Sequence, residues 1–584
     1  MIRTNFSRSL PVLVLLLALF HFAAQAAPKI TYRLSMPEPQ THYFEVEMQV
    51  QDFKDKYADL KMPVWAPGSY LIREFPKNVE AFSAQAGSAT LPFEKINKNT
   101  WRVQTGKNRS FSVKYKVYAF ELTVRTSFVD EMHAYLNGSS VFMYPDKYQH
   151  LPATLKIDTY GNWNQISTSL PTEGNDQWTR RSANYDELAD SPIEIGTHKV
   201  LTFEAAGVPH EVAIFGVGNY DDQKLVTDLK KIAETSTAIF GEHPVKGKYV
   251  YIIHNLQTGG GGLEHLNSTT LQVARWNYQP ENLYNNFLGL AAHEYFHLWN
   301  VKRLRPIALG PFNYNAENYT SMLWVAEGFT SFYDDLITLR SGFITPDRYL
   351  DIISSSITNV ENTPGVKVQS LSESSFDAWI KSYRPNENSR NSEISYYSKG
   401  ALIAMLLNLE IMHQTKAEKS LDDVMQLMYR EYYKQKNRGY TDAEFKKGLE
   451  KVAGINLDKF YADFIYGTAT PDYARYLAYA GLQFINLNAG TTEAALGATT
   501  QNQNGHIVVT HVVRDGSAWQ GGLNVKDEII SLNGYRITDD LNKSVAGREA
   551  GEKINLIVNR DGRLLSLDIT LNKNPNARYK VERM

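Results

Sequence analysis

From residue 28 to about residue 205, apolar and polar positions alternate in short runs, Phe44–Val50, Phe111–Val117 and Lys199–Phe203 among them, with turn clusters such as Pro67-Gly68-Ser69 between them. Alternation with period two turns one face of a strand inward and the other to water. No stretch there carries the period of a long amphipathic helix, so residues 27–205 are predicted to form an all-β, sandwich-like domain. After Val208 the pattern changes. Lys248–His254 is one more strand-like run, a glycine tract follows, and helical periodicity dominates from about Asn282 to Phe464. It predicts helices at Asn286–Asn300, Ser321–Arg340, Ser395–Gln414 and Leu421–Lys434, hence a mainly helical domain over 206–478 with a small sheet at its start. Strand patterns return at His506–Val513, Glu528–Ile537 and Ile554–Leu571. The last of these folds on itself at Asn559-Arg560-Asp561-Gly562, where Asp-Gly suits a hairpin turn. Residues 479–577 read as a third domain and 578–584 as a tail, which makes the chain multidomain α+β.

Residues 1–26 differ in kind. Arg3 and Arg8 precede an apolar run from Leu10 to Phe22, and Ala24-Gln25-Ala26 ends it with a small-x-small cleavage pattern, so this segment reads as a signal peptide. The apolar run is short for a bilayer span, an uncleaved anchor being the competing reading. No later segment approaches a membrane span, so the mature chain is expected to be exported, to the periplasm or beyond. The net charge of -2 supplies no pull toward nucleic acid or an anionic surface. The chain has no cysteine, which excludes disulfides, thiolate ligands and a cysteine nucleophile. A transition metal would have to be held by histidine and carboxylate.

His293 and His297 stand four apart, so on a helix they project from one face, one turn from each other. Two imidazoles so placed can take adjacent corners of a tetrahedral zinc site. Glu294 is offset by about 100° and can reach a water beside the metal without ligating it, where a general base belongs. The flanking Phe287-Leu288-Gly289-Leu290-Ala291-Ala292 and Tyr295-Phe296 are apolar around most of the helix. Two histidines and a glutamate are costly in such surroundings unless a metal or hydrogen bonds satisfy them. Glu327, on the next apolar helix in Leu323-Trp324-Val325-Ala326-Glu327-Gly328-Phe329, is the candidate third ligand. Three protein ligands leave one position open, the catalytic rather than the structural type.

Asp334 and Asp335 are read as solvent-facing, with pairing to the histidines as the alternative. Tyr397 could donate its phenol proton to an oxyanion, one candidate among 35 tyrosines. Gly259-Gly260-Gly261-Gly262-Leu263-Glu264 follows directly on a strand. Its glycines would admit another backbone and Glu264 could grip a free ammonium group; a flexible surface loop is the competing reading.

These residues resemble the glycyl aminopeptidase family, within the zinc peptidases whose ligands are two histidines and a glutamate. The likeness runs through His293–Arg303, Ala326–Tyr333 and Tyr397–Ala401, and extends to Pro63–Tyr70 and Tyr185–Pro192, nearly the whole mature chain. It implies a β-sandwich, a thermolysin-like catalytic domain and a C-terminal peptide-binding module. It also implies one zinc per chain on His293, His297 and Glu327, with Glu294 as base and Tyr397 as transition-state stabiliser. Gly261, Gly262 and Glu264 align with the segment that related aminopeptidases use to bind a substrate's amino terminus, and glycine and alanine are implied as preferred N-terminal residues. Two departures stand out: His265 replaces the relatives' asparagine, and 29 residues separate His297 from Glu327, more than in those relatives. Asp515–Leu523 with Lys526–Gly534 resembles a PDZ domain, a module that takes a peptide strand and caps its carboxylate. Leu496-Gly497-Ala498 and Gly481-Leu482-Gln483-Phe484 compete for its carboxylate loop, the former preferred. The expected function is an aminopeptidase acting on peptides with a free N-terminus; an endopeptidase with the same site, or a peptide-binding scaffold, are the alternatives.

Overall fold

A computed structural model describes residues 27–584; residues 1–26, on which the signal-peptide reading falls, lie outside the described part. The alternating N-terminal region forms a seven-stranded sheet in the order Thr179–Ser182, Ala153–Asp158, Lys29–Ser35, Tyr43–Gln51, Phe111–Tyr118, Val79–Ala86, Ala89–Thr90. Two four-stranded sheets share its core: Leu60 and Trp101 from one, Leu136 and Ile193 from the other, pack with Phe44, Val46 and Val113. Phe44, Val46, Met48 and Val50 all point inward along one strand, the face that period two selects. The only α-helix here is the five-residue Tyr185–Ala189, capped by Asn184.

Lys199–Ala205, grouped with the β domain by its alternation, belongs elsewhere. It pairs antiparallel with Val208–Phe215 and forms one edge of the central domain's five-stranded sheet. That sheet continues through Tyr249–Leu256 and Ser268–Ala274 to Gly262–Glu264 at the other edge. Alternation fixes which face of a strand is buried, not which sheet it joins.

The helices of the central domain include α1 (Asp222–Phe240), α2 (Glu281–Phe296), α3 (Thr330–Arg340), α4 (Pro346–Glu361) and α5 (Ser398–Gln414), followed by Leu421–Met428 and Asp442–Ala453. The hydrophobic pattern pointed to α2, α3, α5 and the helix from Leu421, which continues through a π-helical turn to Gln435, but passed over α1, α4 and Asp442–Ala453. Asp221 caps α1 at the Lys224 amide, and Leu225, Leu229, Ile232 and Phe240 bury its inner face. Its many charged positions had hidden that stripe.

In the third domain Lys553–Arg560 and Arg563–Thr570 pair as a hairpin, with Asp561 and Gly562 at φ 52° and 80°. The run expected as one strand over Glu528–Ile537 is also a hairpin, broken at Asn533-Gly534 (φ 50° and 83°) into Glu528–Leu532 and Tyr535–Arg536. Positive φ at both central positions is what a type I′ turn requires, and Asn-Gly supplies it. Residues 578–584, read as a tail, are not one. Tyr579–Arg583 is a strand paired with Leu482–Asn486, and it lies on α4, where Ser354 accepts from the Val581 amide and Thr358 from the Tyr579 amide.

The β and central domains are joined through a buried polar cluster. Glu194 of the β domain accepts from His133 at 2.7 Å and from His254 of the central sheet at 3.0 Å, all three residues being buried. Phe215 stacks on the His133 ring at 3.4 Å. Burial alone would raise the Glu194 carboxyl, but the two imidazoles overcome it and hold it down at about 2. A carboxylate depressed from its ordinary 4.5 adds stability that is fully present above that value and is lost as pH falls toward 2. Glu194→Ala should therefore cost about 3–5 kcal/mol at neutral pH. Its deficit against wild type in urea unfolding should narrow below about pH 4.5. Equal urea midpoints at pH 7 would refute this role.

Candidate metal centre and substrate cleft

His293 and His297 sit at the end of α2 and face α3 and the segment that precedes it. Each is oriented through its Nδ1: His293 donates to Asp334 Oδ2 at 2.8 Å, and His297 to the Asn300 carbonyl at 2.7 Å. Asp334 is thus the histidine's orienting carboxylate rather than a solvent-facing residue. With Nδ1 carrying the proton, both Nε2 atoms present bare lone pairs. They face Glu327 Oε2 at 3.6 and 3.2 Å. Donors held about 2.1 Å from a tetrahedral zinc stand about 3.4 Å apart, so the spacing fits a metal. The His133–Glu194–His254 cluster is a contrast, since its 2.7 and 3.0 Å separations are those of hydrogen bonds.

Glu327 lies in a π-helical turn, Trp324–Phe329, that leads into α3. The amide of Asn300 satisfies that turn, donating to the Val325 and Ala326 carbonyls at 2.9 and 3.2 Å and to Thr330 Oγ1 at 3.1 Å. Asn300 thereby orients His297 through its carbonyl and places Glu327 through its side chain. On the opposite side the turn meets the start of α5 backbone to backbone. A Cβ on Gly328 would fall 2.6 Å from the Gly400 Cα, and one on Gly400 would fall 2.8 Å from the Trp324 carbonyl oxygen. Two glycines therefore allow the approach that sets Tyr397 beside the histidines, its ring centroid 6.2 Å from that of His293.

Glu294 is buried, and its Oε2 has no hydrogen-bond partner among the described residues. Burial pushes its carboxyl up to about 7, the neighbouring imidazoles working the other way. Burial likewise keeps Tyr397 protonated far above neutral pH. Asp335, beside Asp334, is raised to about 8 by burial and by that neighbour.

The glycine tract is not a flexible loop. Gly262–Glu264 is the edge strand of the central sheet, paired with Ser268–Ala274. Gly261 accepts from the Gln272 amide and His265 donates to the Ser268 carbonyl. The alternate residues, Gly262 and Glu264, therefore turn their backbone groups outward, away from the sheet. A Cβ on Gly262 would lie 2.5 Å from Glu294 Oε1, so the strand can pass over that carboxylate only as glycine. Glu264 is itself buried, with Oε1 unpartnered and pressed against Gly68 of the β domain. Glu264, Glu294 and His297 bring donor atoms within 4.8 Å of one another, as do His293, His297 and Glu327.

Both departures from the family pattern have structural partners. His265 Nδ1 meets Asp190 at 2.9 Å, and the same carboxylate takes Lys302 Nζ and the Leu266 amide, each at 3.0 Å. Burial would raise Asp190, but Lys302 and His265 hold it below the usual range. The long spacer is bolted to the β domain: Trp65 donates to the Asn313 carbonyl, Val64 to that of Tyr314, and the Tyr314 hydroxyl to Asp186. Asn300, Asp190 and Lys302 lay within stretches that carried the resemblance, but their roles needed the fold. Tyr383, half-buried near Tyr397 and packed edge-on against Tyr70, had no local signal at all.

In the third domain, Leu496-Gly497-Ala498 leads into the edge strand Ala498–Gln503, beside the short helix Leu541–Val545. Asn542 Nδ2 spans the two, donating to the Ala498 carbonyl at 3.0 Å. Gly481–Phe484 runs instead into the strand that pairs with Tyr579–Arg583 against the central domain, away from any groove of this domain.

Three family profiles match the chain: the Peptidase M61 N-terminal domain over residues 31–197, M61 glycyl aminopeptidase over 286–403, and a PDZ domain over 494–571. No curated protein matches it. Among solved structures it is similar to an aminopeptidase N family protein from Idiomarina loihiensis, at 31% identity and TM-score 0.88, covering 95% of this chain and 98% of that one. An M1 zinc metallopeptidase from Deinococcus radiodurans matches at 13% identity and TM-score 0.48, over 76% of this chain and 96% of that one. Yeast LTA4 hydrolase matches at 13% identity and TM-score 0.46, over 76% of this chain and 68% of its own. With its donor set in place and a relative 31% identical over nearly its full length, the chain belongs to the M61 glycyl aminopeptidase family of zinc metallopeptidases and carries a C-terminal PDZ domain.

Proposed function

We propose that this enzyme removes single small residues, glycine and alanine foremost, from the free amino terminus of peptides, with one zinc per chain. The observation that carries the reading is an unpartnered buried carboxylate, Glu264, on the sheet edge beside the metal ligands and the base. A carboxylate so placed wants a cation, and a substrate's terminal ammonium is the cation that would stand one residue from the scissile bond. Gly68 closes on Glu264 from the β domain, and Tyr70, packed edge-on against Trp379 and Tyr383, fixes that loop. A cleft shut on that side is short, which suits glycine and alanine.

Zinc on His293, His297 and Glu327 would supply Lewis-acid polarisation of the scissile carbonyl and acidify the attacking water. Glu294 takes that water's proton and returns it to the leaving amine; a carboxyl raised to about 7 suits both tasks near neutral pH. Tyr397, kept as the phenol, donates to the oxyanion. The Gly262 amide and the backbone groups of Glu264 face outward from the edge strand and are offered to the substrate backbone. The pattern of residues 1–26 supports action outside the cytoplasm. The PDZ domain is assigned a peptide C-terminus at Leu496-Gly497-Ala498, an occupant that would displace the Asn542 bond to Ala498.

Glu294→Gln should retain zinc by elemental analysis and lower kcat about a thousandfold. Substantial remaining turnover would remove Glu294 as base. On Ala-Ala peptides the wild type should act only with the amine free, and Glu264→Ala should raise KM at least tenfold. Cleavage of N-acetylated peptides at rates comparable to free ones would instead make the enzyme an endopeptidase. Turnover that survives a chelator would count against any metal-based reading.

A further inference from the structure

Two arginines of the β domain stand near the substrate edge, and neither is held in an ion pair among the described residues. Arg125 Nη2 reaches the outward carbonyl of Gly262 at 3.5 Å. A tight turn presents it: the Arg125 amide donates to Thr123 Oγ1, and Thr126 Oγ1 donates to the Glu121 carbonyl. Arg73 follows the Pro63–Tyr70 stretch; its amide bonds the Val64 carbonyl and its Nη2 bonds Ser69 Oγ at 3.0 Å. Both side chains are half-buried, both Nε atoms are buried without an acceptor, and neither guanidinium makes an ion pair among the described residues. Burial and the neighbouring Arg125 guanidinium push Arg73 below its ordinary value, with Glu121 working the other way. Two like charges, partly desolvated and close together, are unfavourable unless an anion joins them.

The direction of the substrate locates that anion. This step rests on the aminopeptidase reading. The amine sits at Glu264, and the scissile carbonyl must lie by Glu294, which is pressed against Gly262. The substrate therefore runs from Glu264 toward Gly262, antiparallel to the edge strand. Two strand residues span about 7 Å, which is about the distance from the amine to the carboxylate of an extended dipeptide. Arg125 meets the strand at Gly262, where that carboxylate arrives.

We propose that Arg125, with Arg73 behind it, forms a subsite for a carboxylate on the residue after the scissile bond, so that dipeptides are preferred substrates. An Asp or Glu side chain at that residue presents the same chemistry and is the second source. The guanidinium fork suits a carboxylate in two-point contact, and its task is to position the substrate, not to touch the reacting atoms.

The experiment compares Ala-Ala, Ala-Ala amide and Ala-Asp amide on the zinc-loaded wild type, Arg125→Gln, Arg125→Lys and Arg73→Gln. Wild type should favour Ala-Ala over its amide at least tenfold in kcat/KM, most of it in KM. Arg125→Gln should collapse that ratio toward one, Arg73→Gln should shrink it, and Arg125→Lys should keep part of it. If Ala-Asp amide matches Ala-Ala, side-chain carboxylates share the subsite; if it matches Ala-Ala amide, the subsite takes the terminal carboxylate alone. Equal wild-type rates on Ala-Ala and its amide, or an acid-to-amide ratio unmoved by Arg125→Gln, would overturn the proposal. Calorimetric binding of Ala-Ala and its amide to Glu294→Gln, with and without Arg125→Gln, judges the subsite without turnover. It would do so even if no free-amine peptide were cleaved and the aminopeptidase reading fell.

Discussion

Three lone pairs that repel one another are held face to face at the end of α2, and much of the central domain is arranged to keep them there. Two imidazole nitrogens and a carboxylate oxygen converge in a buried site, at the spacing of tetrahedral metal ligands. Each donor is fixed from behind. Asp334 orients His293, the Asn300 carbonyl orients His297, and the Asn300 amide seats the turn that carries Glu327. That turn is π-helical, the irregular helical form often found at functional sites, and its Val325 and Ala326 carbonyls accept from Asn300. The rigidity of the site is thus spread over residues that never meet the metal.

The β domain is part of the same machinery. Its Gly68 closes on Glu264, its Asp190 ties His265 and Lys302 together beneath the edge strand, and its Arg125 reaches the strand's free carbonyl. Substrate would meet a cleft with one wall from each domain. The buried Glu194 cluster makes the two walls one body, since separating them would strand a carboxylate between two histidines.

What could be read from the sequence tracks the range of the interactions involved. His293, Glu294 and His297 lie within five residues on one helix, so their spacing carries their geometry. Glu327 was recognisable as a carboxylate in apolar surroundings, although only the fold brings it to the histidines. The strands of the β domain were visible by alternation, whereas the sheet to which Lys199–Ala205 belongs depends on a partner that alternation cannot name. Asp334 was misjudged because a charged residue two turns along a helix usually faces water, and only the packing of α3 on α2 turns it inward. Glu264 looked like part of a loose loop, as four glycines suggest; its strand is held by Ser268–Ala274, and one of those glycines is needed to clear Glu294. Arg73, Arg125 and Tyr383 lie in no motif and meet only through long-range folding.

The returning strand Tyr579–Arg583 bears on how the PDZ domain can move. The chain leaves the central domain after Leu482–Asn486, builds the PDZ fold, and comes back to pair with that same strand on α4. The module is therefore an insertion anchored at both ends, not a bead on a single thread. A third attachment ties it to the segment leading to Tyr397, where the buried Asn391 side chain bonds the Val512 carbonyl and the Arg514 amide. Held at three points, the PDZ domain cannot swing freely over the cleft. Asn391 stands six residues before Tyr397, so a shift of the PDZ domain would pull on the segment that sets that phenol beside His293.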